Sequence, residues 1–439
     1  MKKLILIYAL CSCCNWLLPA DKPLQLAGLI AEAYERNLKI KALEKETEAY
    51  SFRIKPAQTL PDPMIEFSLK NMGLDQWMIG HDPNSGIGVS VSQVFPYFGK
   101  LRLAGEMAGK AYEGRLQALE AVKLEIAKQI KIAYFDLFYL QKAVEILEKQ
   151  KDIMQKALAL AETRYAVGSG FQNDIFKAQL EISRMDEMII PMKEMIDAGE
   201  SKINLLLDYP PGRPLGKPEG IDCESLSLTL TQLEEYLLKQ SPRLKEAYTM
   251  TEEKSIMVQA MRKEFKPDFK VTAGWEYKGK LPDMYELMLG MEIPLFAGRK
   301  QGNRLQEAKT AAESTRLDTA AMRNDMLIEL NEYYLRAKTS ENLLHLYKTR
   351  ILPQAGLALE SSFAAYPVNK TDFMALLSDI NAQFSAELAY YRELTQLWNV
   401  LAELESLTAQ SLLPVEAAGG SFRENRPPHP PQKLLMGKE

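Results

Sequence analysis

Four short segments of the chain alternate strictly between apolar and polar residues. In the clearest of them, FKVTAGWEY from Phe269 to Tyr277, every second residue is apolar. A period of two is typical of a β-strand with one apolar and one polar face. The segments are about as long as the tilted strands that cross a bilayer. The pattern predicts strands at about 63–70, 87–95, 268–277 and 284–293.

Outside these segments, apolar residues recur every seven residues, which is typical of long helices in coiled-coil packing. Two adjacent seams on one helix favour neighbours on both sides, as in a closed ring of helices; a two-helix hairpin with one wide seam is the alternative. The spacing predicts long helices at about 99–165 and 299–363 and returning helices at about 172–207 and 372–410. The first half has one seam at Ile132, Tyr139, Ile146, Ile153 and Leu160 and another at Leu119, Ile126, Ala133, Leu140, Leu147, Met154 and Ala161; the second half repeats the first seam at Leu330, Ala337, Leu344, Ile351 and Ala358.

The two halves of the chain follow one plan. The stretch SQVFPYFGK resembles MEIPLFAGRK when the chain is shifted by 198 residues, which places Pro96 on Pro294. Such a duplication, interrupted by a segment rich in Pro and Gly, predicts an internal two-fold sequence repeat. The predicted domains are a signal peptide at 1–20, a first repeat at 21–207, a linker at 208–230, a second repeat at 231–412 and a disordered tail at 413–439.

The number of strands limits how they can be arranged. Four strands cannot close a barrel, because closure takes about eight or more. An open sheet in a bilayer would leave backbone groups unpaired at both of its edges. The chain is therefore either soluble, with the apolar face of its strands packed on helices, or several copies pool their strands. Three copies would supply twelve strands and the wall of a helical tunnel.

The composition excludes other classes of protein. A hydrophobic content of 46% is too high for a disordered chain, and a net charge of −4 without a basic cluster gives no indication of a nucleic-acid partner. The N-terminus has the two lysines and the apolar run of a secretory signal, with cleavage expected near Ala20. Lipid attachment at Cys13 is the alternative. Only Cys223 lies outside this segment, which excludes an intramolecular disulfide framework.

Several motifs, taken in their order and spacing, are typical of one family. LIAEAYERNLKIKALEKETEAY, VSQVFPYFGK, RYAVGSGFQNDIFKAQLE and INLLLDYPPGRPLG follow one another along the chain. Over about 24–410 the chain resembles TolC-type outer-membrane efflux factors. LPDPMIEF, FPYFGKL and KPDFKVTAGWEYKGKLPDMYELMLGMEIPLF look most like the heavy-metal branch, which serves copper/silver and cobalt/zinc/cadmium exporters.

The resemblance implies a mainly α-helical fold with a membrane β-barrel portion. In the family, long coiled-coil helices form a trimeric α-barrel tunnel in the periplasm, and each copy contributes four strands to a twelve-stranded β-barrel in the outer membrane. The implied partners are the other copies of a homotrimer, a periplasmic adaptor (membrane fusion) protein and an inner-membrane RND-type pump. Neither catalysis nor a cofactor is implied.

The breaks between the long and returning helices match the periplasmic tips of the family, at 166–171 and 364–371, where the adaptor docks. Glycine gives the first turn its backbone freedom. The second turn departs from the family's Val-Gly pattern, so the two docking grooves are expected to differ. A plain helix turn without a contact role is the alternative. The predicted docking residues are Val167, Gly168, Ser169, Gly170, Pro367, Val368, Asn369 and Lys370.

Aspartates follow both turns. Asp174 and Asp372 begin the returning helices, where a carboxylate that caps the helix needs no other role. In the family, aspartates just past the second turn ring the closed end of the tunnel; Asp372 matches the first of these, whereas the second falls on Ala375. Three copies of Asp372 would repel anions and attract cations. The predicted gate and selectivity residues are Asp372, Asp174 and Asp379.

No metal site or catalytic motif is predicted. Four methionines lie at helical spacing, and thioethers suit Cu(I) or Ag(I), but methionine at such spacing is more often a core residue. The three histidines are far apart in the sequence, without zinc-ligand spacing. Nucleophile–base and phosphate-binding motifs are absent from the sequence. The methionines are Met185, Met188, Met192 and Met195, and the histidines are His81, His345 and His429.

The sequence therefore predicts the outer-membrane channel component of a tripartite efflux system, a passive exit duct for heavy-metal cations. The same duct serving drug efflux or type I protein secretion is one alternative, and a soluble periplasmic coiled-coil scaffold is another. Polar strand residues would line a water-filled barrel, and their mixed charge says little about the cargo. These residues are Glu66, Lys70, Lys270, Glu276, Glu286 and Glu292.

Overall fold

A computed structural model describes residues 24–71, 79, 83–223 and 225–414. Some predictions fall elsewhere in the chain. The signal peptide at 1–20 with Cys13, the two histidines His81 and His429, and nearly all of the tail at 413–439 lie outside the described residues.

The described chain consists mainly of helices with four strands. The first half contains α1 (Leu26–Arg36), α2 (Leu38–Gln58), β1 (Met64–Lys70), β2 (Gly86–Phe95), α3 (Lys100–Ala166) and α4 (Gln172–Leu206). The second half contains α5 (Leu230–Gln240), α6 (Pro242–Lys263), β3 (Asp268–Tyr277), β4 (Met284–Glu292), α7 (Gln301–Leu346), a π-helical turn (Tyr347–Ile351), α8 (Leu352–Ala365) and α9 (Phe373–Thr408).

The four strands form one antiparallel sheet in the order β1-β2-β3-β4. Each strand pairs with the next one along the chain, and successive residues point to opposite faces. The register therefore collects the apolar residues of all four strands on one face and the polar residues on the other. One row across the sheet contains Phe67, Val89, Trp275 and Tyr285, and the next row contains Glu66, Ser90, Gly274 and Glu286.

The contacts divide the chain into two compact units. The first comprises the described residues up to Lys41, Val122–Gln240 and the described residues from Leu327 to Pro414. The second comprises the described residues of 42–121 and Ser241–Met326 and contains the sheet. The core of the first unit is built from apolar residues of α3, α4, α9 and the end of α8. Among its fully buried members are Met154, Tyr366 and Phe384.

The first long helix matches its prediction, since α3 runs unbroken for 67 residues. Its seam at Ile126, Met154 and Ala161 is buried. The other seam is half-buried at Ile132 and Tyr139, but its Ile146 is buried in the core and Ile153 and Leu160 pack against that core. No described helix combines the length and the apolar content that a bilayer span requires.

The predicted continuous helix at 299–363 is wrong in one respect. A five-residue π-helical turn separates α7 from α8 and ends two residues before Pro353. Proline has no N–H to donate to the preceding turn, and its ring clashes with the carbonyl four residues earlier. A wider turn, which holds one extra residue, avoids both problems.

The extra residue also moves the predicted seam. Leu330, Ala337 and Leu344 are buried as expected, but Ala358 is exposed. After the π-helical turn, the residues that face the core are one position later, at Leu359 and the fully buried Tyr366. The heptad pattern therefore continues through α8 with a register shift of one residue.

Candidate functional site

The apolar face of the sheet is open. Phe67, Tyr285 and Leu289 expose 78%, 84% and 77% of their surface, and Leu287 is exposed to a similar extent. An apolar surface of this size on a soluble monomer is unusual and marks a contact with a partner or a membrane. The helices of the same unit therefore do not cover this face.

Both edges of the sheet are also open. Within the described residues, β1 pairs only with β2, and β4 pairs only with β3. Each edge strand thus presents a row of backbone N–H and C=O groups that can pair with another strand. The sheet therefore combines an exposed apolar face with two edges that, within the described chain, are free to pair with further strands.

The polar face is held together by an ion pair that crosses a strand. The ammonium of Lys70 on β1 lies 3.0 Å from the carboxylate of Glu276 on β3, above β2. Glycine makes this possible: a Cβ on Gly86 would lie 2.5 Å from the Glu276 Oε1 atom. All six charged strand residues that the sequence analysis named share this face.

The first turn joins α3 to α4 through two glycines with separate roles. Gly168 adopts a φ of +76°, a conformation that strains other residues. Gly170 lies so close to the end of α3 that an added Cβ would come within 2.9 Å of the Arg164 Cβ atom. Its N–H and that of Ser169 both donate to the Arg164 carbonyl.

The second turn reaches a similar conformation without glycine. Asn369 takes the left-handed position with a φ of +62°, which asparagine tolerates better than most residues. The N–H of Lys370 donates to the carbonyl of Ala365, which closes the turn. Pro367 and Val368 are exposed at its outer side.

Arg164 connects the two turns, a role that the sequence analysis missed. Its guanidinium donates to the Tyr366 carbonyl at 2.9 Å and to the Asn369 side-chain oxygen at 2.6 Å. It also lies 4.4 Å from the centre of the buried Tyr366 ring. A basic residue in the last turn of a helix is the available sequence signal, because such residues often bind nearby carbonyls.

The three predicted gate aspartates have different surroundings. Asp372 is exposed and caps α9, where its side chain accepts a hydrogen bond from the Ala375 N–H at 2.7 Å. Asp174 lies inside the first turn of α4 and is not the capping residue, because α4 begins two residues earlier. Burial and the nearby Asp174 carboxylate raise the pKa of Tyr366. Asp379 accepts a hydrogen bond from the Ser362 hydroxyl.

The two turns expose apolar side chains, two of which belong to predicted docking residues. Val167 on the first turn and Val368 on the second are both largely exposed. Phe171 and Phe176 at the start of α4 are also exposed. Exposed apolar residues at the end of a helical unit are typical of a protein contact site.

The candidate metal residues do not converge. Met185 is buried in the core of the first unit, whereas Met188 and Met195 are exposed on the same helix. In the part of the chain that the structure describes, no three His, Cys, Asp or Glu side chains are placed to hold a metal ion. Cys223 is half-buried, and burial raises the pKa of its thiol.

The sequence of the chain was compared with known protein families. The sequence profile of the family described as "Outer membrane efflux protein" matches residues 29–192. The match covers somewhat more than a third of the chain, which is similar to that family over these residues. Proteins of this family are channels rather than enzymes and reside in the outer membrane. Comparison with curated protein sequences gave no match.

The fold of about nine tenths of the chain is that of solved outer-membrane proteins and membrane channels. CusC, whose structures were described in terms of transmembrane channel formation, is 16% identical with a TM-score of 0.76, over 88% of this chain and 92% of its own. The outer membrane protein VceC from Vibrio cholerae is 16% identical with a TM-score of 0.74, over 88% and 96%. The outer membrane channel CmeC from Campylobacter jejuni is 12% identical with a TM-score of 0.72, over 90% of each chain.

Proposed function

We propose that this protein is the outer-membrane exit duct of a tripartite exporter and that three copies close one channel. Each copy would contribute its four strands to a twelve-stranded barrel, with β4 of one copy paired to β1 of the next. The half-buried Ile132 and Tyr139 of α3 would contact neighbouring helices in the tunnel wall. Lipid would cover the apolar face of the closed barrel.

The observation that carries this proposal is the open apolar face of the sheet. A soluble periplasmic scaffold would require its own helices to cover that face, and Phe67, Leu287 and Leu289 are instead exposed. Closure of the barrel would remove the two open edges, which a bilayer does not tolerate.

Two neighbouring residues on β4 test the proposal. Leu287 lies on the apolar face and Met288 on the polar face, and both are exposed. A lysine on the lipid side of a membrane strand costs about 2–4 kcal/mol near the bilayer centre. Leu287→Lys is therefore expected to prevent insertion into lipid bilayers, whereas Met288→Lys inserts and conducts.

The measurement is single-channel current after reconstitution, together with detergent extraction of membranes. Wild-type protein that is released by a salt wash as a folded monomer would contradict the proposal. Equal insertion of the two lysine variants would also contradict it, because lipid would then not contact the face that contains Leu287.

For the cargo, we propose heavy-metal cations. The support is the likeness of the strand segments to the heavy-metal branch and the charge of the polar face. Five of its seven charged residues, Asp268 and four glutamates, are acidic, so the face carries a net negative charge that favours cations. Drugs or secreted polypeptides are the alternative cargo. Deletion of the gene is expected to sensitise cells to copper, silver, cobalt, zinc or cadmium and not to drugs.

The proposed partners are a periplasmic adaptor and an RND-type pump in the inner membrane, with the adaptor on the tips. The exposed Val167 and Val368 support a contact there. Val167→Glu and Val368→Glu are each expected to weaken adaptor binding, and unequal losses would indicate that the two grooves differ. Thr310→Glu, at an exposed site on α7 in the second unit, is the matched control.

We also propose that Asp372 contributes to cation selectivity at the closed end of the tunnel, with Asp174 and Asp379 as lesser candidates. Asp372 is the exposed member of the three, which supports its access to the permeation path. Asp372→Asn would keep the helix cap and remove the charge. A cation preference unchanged in this variant would contradict the assignment.

A further inference from the structure

All four junctions between strands and helices lie at the same end of the four strands. We call this end the junction edge of the sheet, as distinct from the two side edges formed by β1 and β4. β1 and β3 begin there, and β2 and β4 end there, because the strands are joined as an antiparallel meander. The start of α3 and the end of α6 are in contact at this edge. The Lys100 ammonium lies 2.9 Å from the Asp268 carboxylate, and the Lys263 ammonium lies 5.5 Å from the centre of the Tyr97 ring.

The charge at this edge is opposite in sign to that of the whole chain. The junction segments 53–63, 96–106, 262–268 and 292–304 contain ten Lys or Arg and five Asp or Glu, a net charge of +5. The complete sequence carries −4. The excess is spread over segments that are far apart in the sequence, and the sheet brings them to one edge.

The acidic residues at the junctions leave part of this charge unbalanced. Glu264 and Asp268 both pair with Lys100, and Glu106 pairs with Arg102. Seven exposed basic residues of these segments take part in no ion pair within the described chain. These seven, which we term the basic edge, are Arg53, Lys55, Arg262, Lys266, Arg299, Lys300 and Arg304.

Exposed aromatic residues accompany the basic edge. Phe98, beside the start of α3, exposes 83% of its surface, and Phe296, before α7, exposes 76%. The open apolar face of the sheet continues directly from this edge through Phe269 and Met291. Aromatic rings beside lysine and arginine at the end of an apolar band are typical of a membrane–water interface.

We propose that the basic edge binds the phosphate groups of anionic phospholipids in the periplasmic leaflet of the outer membrane. This inference rests on the proposed function, because it places the sheet in a bilayer with its helices on the periplasmic side. Lipid is the occupant rather than a soluble anion because the charges adjoin an apolar face that acyl chains can cover. At the opposite edge, Lys70 and Lys278 are both paired with Glu276.

Native mass spectrometry of the detergent-solubilised protein tests the proposal by titration with phosphatidylglycerol and phosphatidylcholine. The test variant is Lys266→Gln/Arg299→Gln/Lys300→Gln. The matched control is Lys39→Gln/Lys41→Gln/Lys245→Gln, which removes three exposed lysines near the other ends of α2 and α6. Each basic group near a lipid surface contributes about fivefold to affinity, so the test variant is expected to lose at least about tenfold in its preference for phosphatidylglycerol.

The wild type and the control are expected to retain the preference, also in excess inorganic phosphate. An equal preference in all three proteins, or none in the wild type, would overturn the proposal. Full displacement of the lipid by inorganic phosphate would assign the edge to free anions and would overturn it too. Conductance of the same proteins in neutral bilayers reports separately on the proposed channel function, and circular dichroism confirms that the variants fold.

Discussion

The two long helices of the repeat plan differ at one point. α3 runs unbroken through 67 residues, whereas its counterpart consists of α7, a π-helical turn and α8. Pro353 follows this turn, whereas α3 has no proline. Both helices still present heptad seams to the core of the first unit. The comparison shows that a heptad pattern can continue through a π-helical turn if the core-facing positions shift by one residue.

The turns that follow these helices differ in a similar way. The first turn uses Gly168 for its left-handed residue, and the second uses Asn369. The returning helices then begin differently, since Asp372 caps α9 but Asp174 lies within the first turn of α4. The two halves therefore reach similar backbone geometry with different residues, and the cost of substitution should differ between them.

Deletion of one residue is expected to give the largest difference in effect between the two long helices. Removal of Asp152, an exposed residue of α3, rotates the following helix by about 100°. Met154, Ala157 and Ala161 then leave the core. We expect a loss of more than about 5 kcal/mol in the free energy of unfolding, measured by chemical denaturation in detergent.

The matched variant is deletion of Thr349 together with Pro353→Ala. It removes the extra residue of the π-helical turn together with the nearby proline, so the core register of α8 is kept. We expect this variant to fold. Equal damage from the two deletions would contradict the assignment of the register shift to the π-helical turn.

A proline in α3 is expected to have the next largest effect. Gln155 is exposed and lies 198 residues before Pro353. Gln155→Pro removes a helical hydrogen bond where no wide turn exists and should cost about 3 kcal/mol. Gln155→Ala is the control and should leave the unfolding midpoint nearly unchanged. A proline variant as stable as the alanine variant would show that α3 can form the same irregularity.

Substitutions in the two turns are expected to lower the free energy of unfolding by a smaller amount. Gly168→Ala should cost about 1–2 kcal/mol, because alanine is strained at a positive φ. Asn369→Ala should cost at least as much, since it also loses the hydrogen bond from Arg164. Asn369→Gly keeps the backbone relaxed and loses about 1 kcal/mol for that bond alone. Thermal unfolding in detergent measures the loss of stability for each variant. A larger loss for Asn369→Gly than for Asn369→Ala would contradict this order.

Substitutions of Asp372 and Asp174 are expected to give the smallest differences in the free energy of unfolding. Asp372→Ala removes a helix cap and should cost about 1 kcal/mol. Asp174→Ala loses only the interaction of a carboxylate with the helix dipole, about 0.3–1 kcal/mol. Asp372→Asn, which keeps a capping oxygen, is the control. If Asp174→Ala is the more destabilising variant, its contact with Tyr366 matters more than the cap.

Local patterns made the strands and α3 predictable. The alternation in β3 predicted 268–277, and the structure has a strand at Asp268–Tyr277. The heptads of α3 predicted about 99–165, close to Lys100–Ala166. The seam beyond Leu344 could not be predicted from the heptads, because a period of seven assumes an unbroken α-helix. Arg164 was missed because its partners lie about 200 residues away, on the second turn.

The sequence by itself determined which residues form strands and helices and which face of each is apolar, because those patterns depend on neighbours a few positions away. Only the tertiary structure decided that the apolar face of the sheet is open, that Arg164 spans two turns and that the basic edge gathers at one side of the sheet. Each of these depends on chain segments far apart in the sequence, and it is the antiparallel pairing and helix packing that bring them together.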